Sequence, residues 1–208
     1  MDCGRNPNEV ALLAVSKTFG PEAVRQAYAA GQREFGENYI QEGVEKMALL
    51  ADLPGIVWHM IGPIQSNKTR LVAEQFNWVH GVDRLKTAER LSAQRPAHLA
   101  PLQVCIQVNI DGGLNKSGVA PEEALQLAGT VMQLPGLQLR GIMVIPEPTT
   151  DLVAARAIFQ SARDLFGAIK HQYAGVDTLS MGMSGDMQMA VATGSTMVRV
   201  GTAIFGRR

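Results

Sequence analysis

Short apolar runs that alternate with stretches of helical spacing limit what this chain can fold into more than any other feature. The eight strand candidates are Ala11–Val15, Arg33–Phe35, Ile56–Ile61, Trp78–Val82, Leu102–Ile110, Leu139–Ile145, Asp177–Met181 and Met197–Gly201. Strands joined by helix-sized connections pair in parallel, because a parallel crossover cannot be made by a tight turn. VCIQV and GIMVI are apolar over most of their length, as strands covered on both faces are. Helical stretches fill the gaps. The first opens at Pro21 and closes at Gly31, the second is Glu37–Leu50, and the third is Asn67–Gln75 after Ser66. Asp83 is the expected N-cap of Arg84–Gln94, and Pro121-Glu122-Glu123 starts a helix that ends at Leu134. The longest runs from Asp151 to Gln172, with Leu152, Ala155, Phe159, Ala162, Phe166, Ile169 and Tyr173 on one stripe. Gly185–Thr193 is the last, with Ser184 as its expected N-cap. With 208 residues, each of eight βα units has about 26, enough for a single-domain (β/α)8 TIM barrel over 1–208. An open doubly wound sheet is the alternative.

Composition narrows the function classes. Lys plus Arg and Asp plus Glu are both 19, so the chain lacks the basic excess of a phosphate-backbone binder, and no nucleic-acid partner is expected. No apolar stretch is long enough to cross a bilayer and MDCGRNPNEV has no apolar leader region, so a cytoplasmic protein without a membrane partner is expected. Cys3 and Cys105 cannot build a disulfide framework, and Cys105 reads as a small buried hydrophobe. The four histidines show no metal-ligand spacing, and no metal is expected.

Lys17 stands immediately after LLAVS, where an apolar strand ends. Such a lysine either points into water or sits at a site. In a barrel, sites are built at the C-terminal ends of the strands, which is where Lys17 falls. The loops after strands seven and eight are the usual phosphate positions in barrels. Here they read Gly182-Met183-Ser184-Gly185 and Gly201-Thr202, small residues whose backbone N–H groups can cradle an anion. Taken singly, Ser184 capping a helix and Gly201-Thr202 turning the chain explain them as well. Arg199 lies inside strand eight, either as a fixed cation facing inward or as a side chain reaching to the strand end for water. His59 reads as a hydrogen-bonded structural histidine, and Lys68 and Lys116 as solvated. A lysine that faces an anion site and an arginine suggests pyridoxal phosphate, whose aldehyde condenses with a neutral amine.

The stretches LLAVSKT, FGENYIQE, WHMIGPIQSNKTR, VNI with NKSG, GIMVIP, LSMGMSGDM and GSTMVRVGTAIFG run over nearly the whole chain. In them the chain resembles the pyridoxal phosphate homeostasis protein family, single-domain relatives of the alanine racemase barrel. The resemblance implies a cofactor Schiff base on Lys17, phosphate held by Ser184, Gly201 and Thr202, Arg199 facing the pyridine nitrogen, and Asn38 near the ring. It implies a monomeric carrier or regulator, not an established enzyme, that keeps the free aldehyde low, affects amino-acid and keto-acid pools, and hands cofactor to pyridoxal-phosphate-dependent apoenzymes. A weak amino-acid racemase is the alternative, and an interaction module signalled by bound cofactor is a third reading. An arginine at the ring nitrogen disfavours a pyridinium and weakens the ring as an electron sink. Family members carry an amphipathic helix ahead of the CGR stretch. Here Met1 directly precedes Asp2-Cys3-Gly4-Arg5, so that helix is expected to be missing, leaving the N-terminal face of the barrel less covered.

Overall fold

The computed structural model describes residues 4–113 and 116–206, so Cys3 and the Asn115 of NKSG lie outside the described residues. Eight parallel strands close into a barrel in sequence order: β1 Ala11–Val15, β2 Glu34–Glu37, β3 Val57–Met60, β4 Trp78–Val82, β5 Leu102–Val108, β6 Leu137–Val144, β7 Thr178–Ser180 and β8 Met197–Val200. Closure is made by β1, which pairs with β2 (Val15 opposite Gly36) and with β8 (Leu13 opposite Arg199). The open doubly wound alternative is thereby set aside. The helices are α1 Pro21–Ala29, α2 Ile40–Leu49, α3 Thr69–Gln75, α4 Leu85–Gln94, α5 Pro121–Val131, α6 Leu152–Gln172, α7 Met187–Ala192 and α8 Thr202–Phe205. Their apolar faces and the outer faces of the strands share one core, including Val24, Val72, Leu91, Ala128, Phe159 and Ile169. Cys105 on β5 is fully buried, and burial pushes its thiol up to about 12.

The strand register depends on glycine at one point. A side chain at Gly141, where φ is +154°, would come within 1.8 Å of the Thr178 carbonyl oxygen, so β6 can pair with β7 in this register only with glycine at that position. The irregularity between Val104 and Cys105 lies directly opposite on β5.

Several sequence expectations shift. Glu37 ends β2 and does not open α2, because its carboxylate is consumed inside the barrel wall by Ser16 and Lys46. Arg84, not Asp83, occupies the cap position of α4, and the Asp83 carboxylate accepts from Arg84 Nε at 3.1 Å instead. Ser184 does not cap α7, which starts at Met187; Asp186 closes the preceding turn by accepting the Met183 N–H at 2.5 Å. Leu152 falls off the buried stripe of α6 and is 69% exposed. α8 is an extra single turn after Gly201. Asp151 does cap α6, its Oδ1 accepting from the N–H groups of Val153 (2.9 Å) and Ala154 (3.0 Å).

Where barrels of this kind usually pack branched aliphatic layers, this one also buries His59, His80, Ser180 and Arg199. His80 on β4 contacts Ser180 on β7. Those strands are not neighbours in the sheet, so the contact crosses the lumen.

Candidate cofactor site at the barrel mouth

A cavity of about 570 Å³ opens at the C-terminal ends of the strands, within the range of small-molecule sites. All six residues singled out from the sequence border it: Lys17, Asn38, Ser184, Arg199, Gly201 and Thr202. Val15, Ile61, Val108 and Ile145 supply apolar wall.

Lys17 leaves β1 half-buried, and the next residue pays in backbone strain. Thr18 has φ +64°, the only positive φ at a non-glycine position among the described residues. A β-branched residue is rarely found there, and such outliers persist only where the surroundings enforce them. The enforcing groups are visible. Glu42 Oε1 on α2 accepts the Thr18 N–H at 2.6 Å. Lys46 Nζ donates to Glu42 Oε1 (3.2 Å), to Glu37 Oε1 (2.6 Å) and to the Ser16 carbonyl (2.8 Å). Ser16 Oγ donates to Glu37 Oε1 at 2.6 Å. Ser16, Glu37 and Lys46 are all buried. Burial raises the Glu37 carboxyl above its ordinary value, opposed by the bonds from Lys46 and Ser16. The turn that carries Lys17 is therefore clamped from below by a buried ion pair.

Asn38 follows β2 on the same rim. Its backbone packs against Gly62 so closely that a side chain at Gly62 would come within 2.2 Å of the Asn38 carbonyl oxygen. Across the cavity, Asp186 ties up both ends of the Met183–Asp186 turn, leaving Ser184 and Gly185 to face the space. Gly201 comes up under β1, where an added Cβ would meet the Val15 carbonyl oxygen at 3.2 Å. The two small-residue turns thus border one cavity with the amine of Lys17.

Arg199 faces inward and is 4% exposed, so the strand-end reading is excluded. Its NH1 donates to the Ser180 carbonyl (2.8 Å) and hydroxyl (2.7 Å), and NH2 to the Val144 carbonyl (2.9 Å). Burial pulls its pKa down to about 10, still cationic at neutral pH. The expectation that Lys116 is solvated is corrected. It borders the cavity and donates to Asp111 Oδ2 (2.8 Å) and the Ile145 carbonyl (3.0 Å), with Glu147 at 3.4 Å. His59 is hydrogen-bonded to His80, as expected of a structural histidine. The clamp under Lys17 and the histidine pair were not singled out from sequence, since their members come from different elements: Ser16 and Thr18 after β1, Glu37 from β2, Glu42 and Lys46 from α2, His59 from β3 and His80 from β4.

The donor set suits an aldehyde that carries a phosphate and a pyridine nitrogen: one amine, two glycine-bearing turns and one buried cation. The alanine racemase N-terminal domain model matches residues 4–208. A pyridoxal phosphate homeostasis protein of Pseudomonas aeruginosa is 59% identical over 99% of this chain and 87% of its own length. One from Escherichia coli K12 is 53% identical over 99% and 89%. PipY of Synechococcus elongatus PCC7942, solved with PLP bound, has a TM-score of 0.88 at 40% identity, covering 98% of this chain and 95% of its own. Alanine racemase of Clostridium difficile shares the fold, with a TM-score of 0.80 at 13% identity over 96% of this chain and 53% of its own. The chain belongs to the alanine racemase N-terminal domain family, alongside the pyridoxal phosphate homeostasis proteins.

Proposed function

We propose that this protein binds pyridoxal 5'-phosphate at the barrel mouth and acts in the cell's homeostasis of that cofactor, as a carrier or regulator in the cytoplasm. The observation that carries the reading is the convergence of Lys17, the Ser184–Gly185 turn, the Gly201-Thr202 turn and Arg199 on one cavity. The curated relatives bear the homeostasis name and PipY was solved with the cofactor, which supports it. In this reading the ε-amine of Lys17 condenses with the aldehyde, a C=N bond forms and one water leaves. Backbone N–H groups of the two turns and the Ser184 and Thr202 hydroxyls take the phosphate. Asn38 flanks the ring. Arg199 faces the ring nitrogen as a permanent donor and keeps that nitrogen unprotonated, because two adjacent cations repel.

The same features argue for a carrier over a racemase. Bound pyridoxal phosphate supplies electron-sink chemistry when its ring nitrogen is protonated, and Arg199 works against that. Racemisation also calls for a second base opposite Lys17. Lys116, the other amine on the cavity, is committed to Asp111 and the Ile145 carbonyl. Release to apoenzymes then needs only an incoming amine to displace Lys17. Among the described residues no helix is long and apolar enough to cross a membrane.

The direct test is the visible absorption of protein purified with pyridoxal phosphate. Wild type shows the band of the C=N-linked cofactor and Lys17→Ala does not. A band unchanged by Lys17→Ala overturns the assignment.

A further inference from the structure

Polar side chains thread the barrel from the mouth to the opposite face. Arg199 NH1 donates to Ser180 Oγ at 2.7 Å, His80 Nδ1 lies 3.2 Å from the same hydroxyl, and His80 Nε2 lies 3.0 Å from His59 Nδ1. His59 Nε2 ends 3.6 Å from Glu34 Oε2. Both of those last atoms are buried, and neither has another partner. Two imidazoles, a hydroxyl and a guanidinium inside a barrel cost free energy that aliphatic side chains would not, so the arrangement calls for a role.

Donor and acceptor arithmetic gives the chain a direction. A guanidinium only donates, so Ser180 Oγ accepts from Arg199. Burial holds both imidazoles neutral, each with one N–H and one lone pair. If Glu34 is ionised, His59 must present Nε2–H to it and accept at Nδ1. His80 then donates from Nε2 and accepts the Ser180 hydroxyl proton at Nδ1. Each step runs the same way, from Arg199 toward Glu34, and the one proton without an acceptor at hydrogen-bond distance is that on His59 Nε2, which faces the buried Glu34 Oε2 at 3.6 Å. The reverse direction would require a protonated Glu34.

We propose that His80, His59 and Glu34 are positioning residues for Arg199: the one-way donor chain commits the Ser180 hydroxyl to His80, so that its lone pairs hold the guanidinium in the roll that aims it at the cofactor's ring nitrogen. This rests on the cofactor reading above. It makes a carboxylate at the N-terminal face of the barrel part of the cofactor site at the mouth. The charged and titratable groups around the chain are Arg140 and Asp177 near Glu34, with Arg140 stacked over Trp78, and Trp78 in turn stacked on His59. Asp186 and Cys105 act on Arg199 electrostatically. Burial raises the Glu34 carboxyl above its ordinary value, opposed by Arg140, which is ion-paired with Asp177 and favours the ionised form that the direction requires.

Side-chain 15N NMR of the cofactor-free protein at neutral pH reads the direction without any ligand. Both His59 and His80 are expected neutral with the proton on Nε2. Glu34→Ala, a change remote from the mouth, is expected to move the His80 signals and to raise the Kd for pyridoxal phosphate roughly five- to tenfold, the worth of one hydrogen bond. Glu34→Gln, whose amide oxygen still accepts, is expected to restore both. A purely packing role for Glu34 would not be rescued through the nitrogen shifts of a residue two bonds down the chain. An imidazolium or an Nδ1–H tautomer at either histidine overturns the proposal. So does a Glu34→Ala protein whose His80 signals or cofactor affinity match wild type. If wild type binds no cofactor, the reading of the cavity fails, and the chain is still judged by the nitrogen shifts alone.

Discussion

At the scale of single residues, the buried histidines make the fold sensitive to acid. The folded pKa of His59 is depressed to about 3 from an ordinary 6.5, and that of His80 falls in the same direction. As pH drops below 6.5 the unfolded chain takes up protons that the folded one refuses. Stability that is complete above 6.5 is therefore lost toward 3, by up to about 1.4 kcal/mol per pH unit for each histidine. Glu34 and Glu37, whose pKa values are raised by burial, act in the opposite sense between the ordinary carboxylate value and their folded one. Urea midpoints taken from neutral pH down to about pH 5 should fall for wild type and fall less steeply for His59→Gln; parallel curves would contradict this. Lys17 could be singled out from sequence because its signal is local, an apolar run that ends in a cation. The clamp beneath it could not, since Ser16 and Glu37 are 21 residues apart and Lys46 reaches the Ser16 carbonyl from 30 residues away. His80 and Ser180 are 100 residues apart, and nothing near either one announces the other.

At the scale of elements, the order and number of strands were readable because most strands carry an apolar run and helical stretches separate them, even where a strand is as polar as the EFGE of β2. Helix starts were less so. Asp151 caps α6 as its position before an apolar stripe suggested, whereas Asp83 and Ser184 have the right chemistry but stand one and two residues ahead of the cap positions, Arg84 and Asp186. What decides is which carboxylate or hydroxyl is already engaged elsewhere: Asp83 by Arg84, and the turn after Ser184 by Asp186. Asp151→Ala should cost about 1 kcal/mol in chemical denaturation and leave the visible cofactor band unchanged, because α6 begins away from Lys17. An unchanged denaturation midpoint would show that the two backbone bonds at 2.9 and 3.0 Å contribute nothing.

At the scale of the whole molecule, closure of the barrel sets Lys17 at the end of β1 against the turn after β8, because those two strands are neighbours only in a closed sheet. An open sheet would have left them at separate edges, so the site depends on the architecture as a whole. Unfolding should accordingly be a single cooperative transition. Pyridoxal phosphate at 100 times its Kd should stabilise it by about 2.7 kcal/mol, read as a concentration-dependent rise in Tm. Two separate transitions, or a Tm indifferent to cofactor, would contradict this. The most direct test of the central claim is chemical. Protein loaded with pyridoxal phosphate is reduced with borohydride, digested, and mapped by mass spectrometry. The account predicts one cofactor-bearing peptide, the one that contains Lys17. Label on Lys116 in place of Lys17, or no label at all, would contradict it.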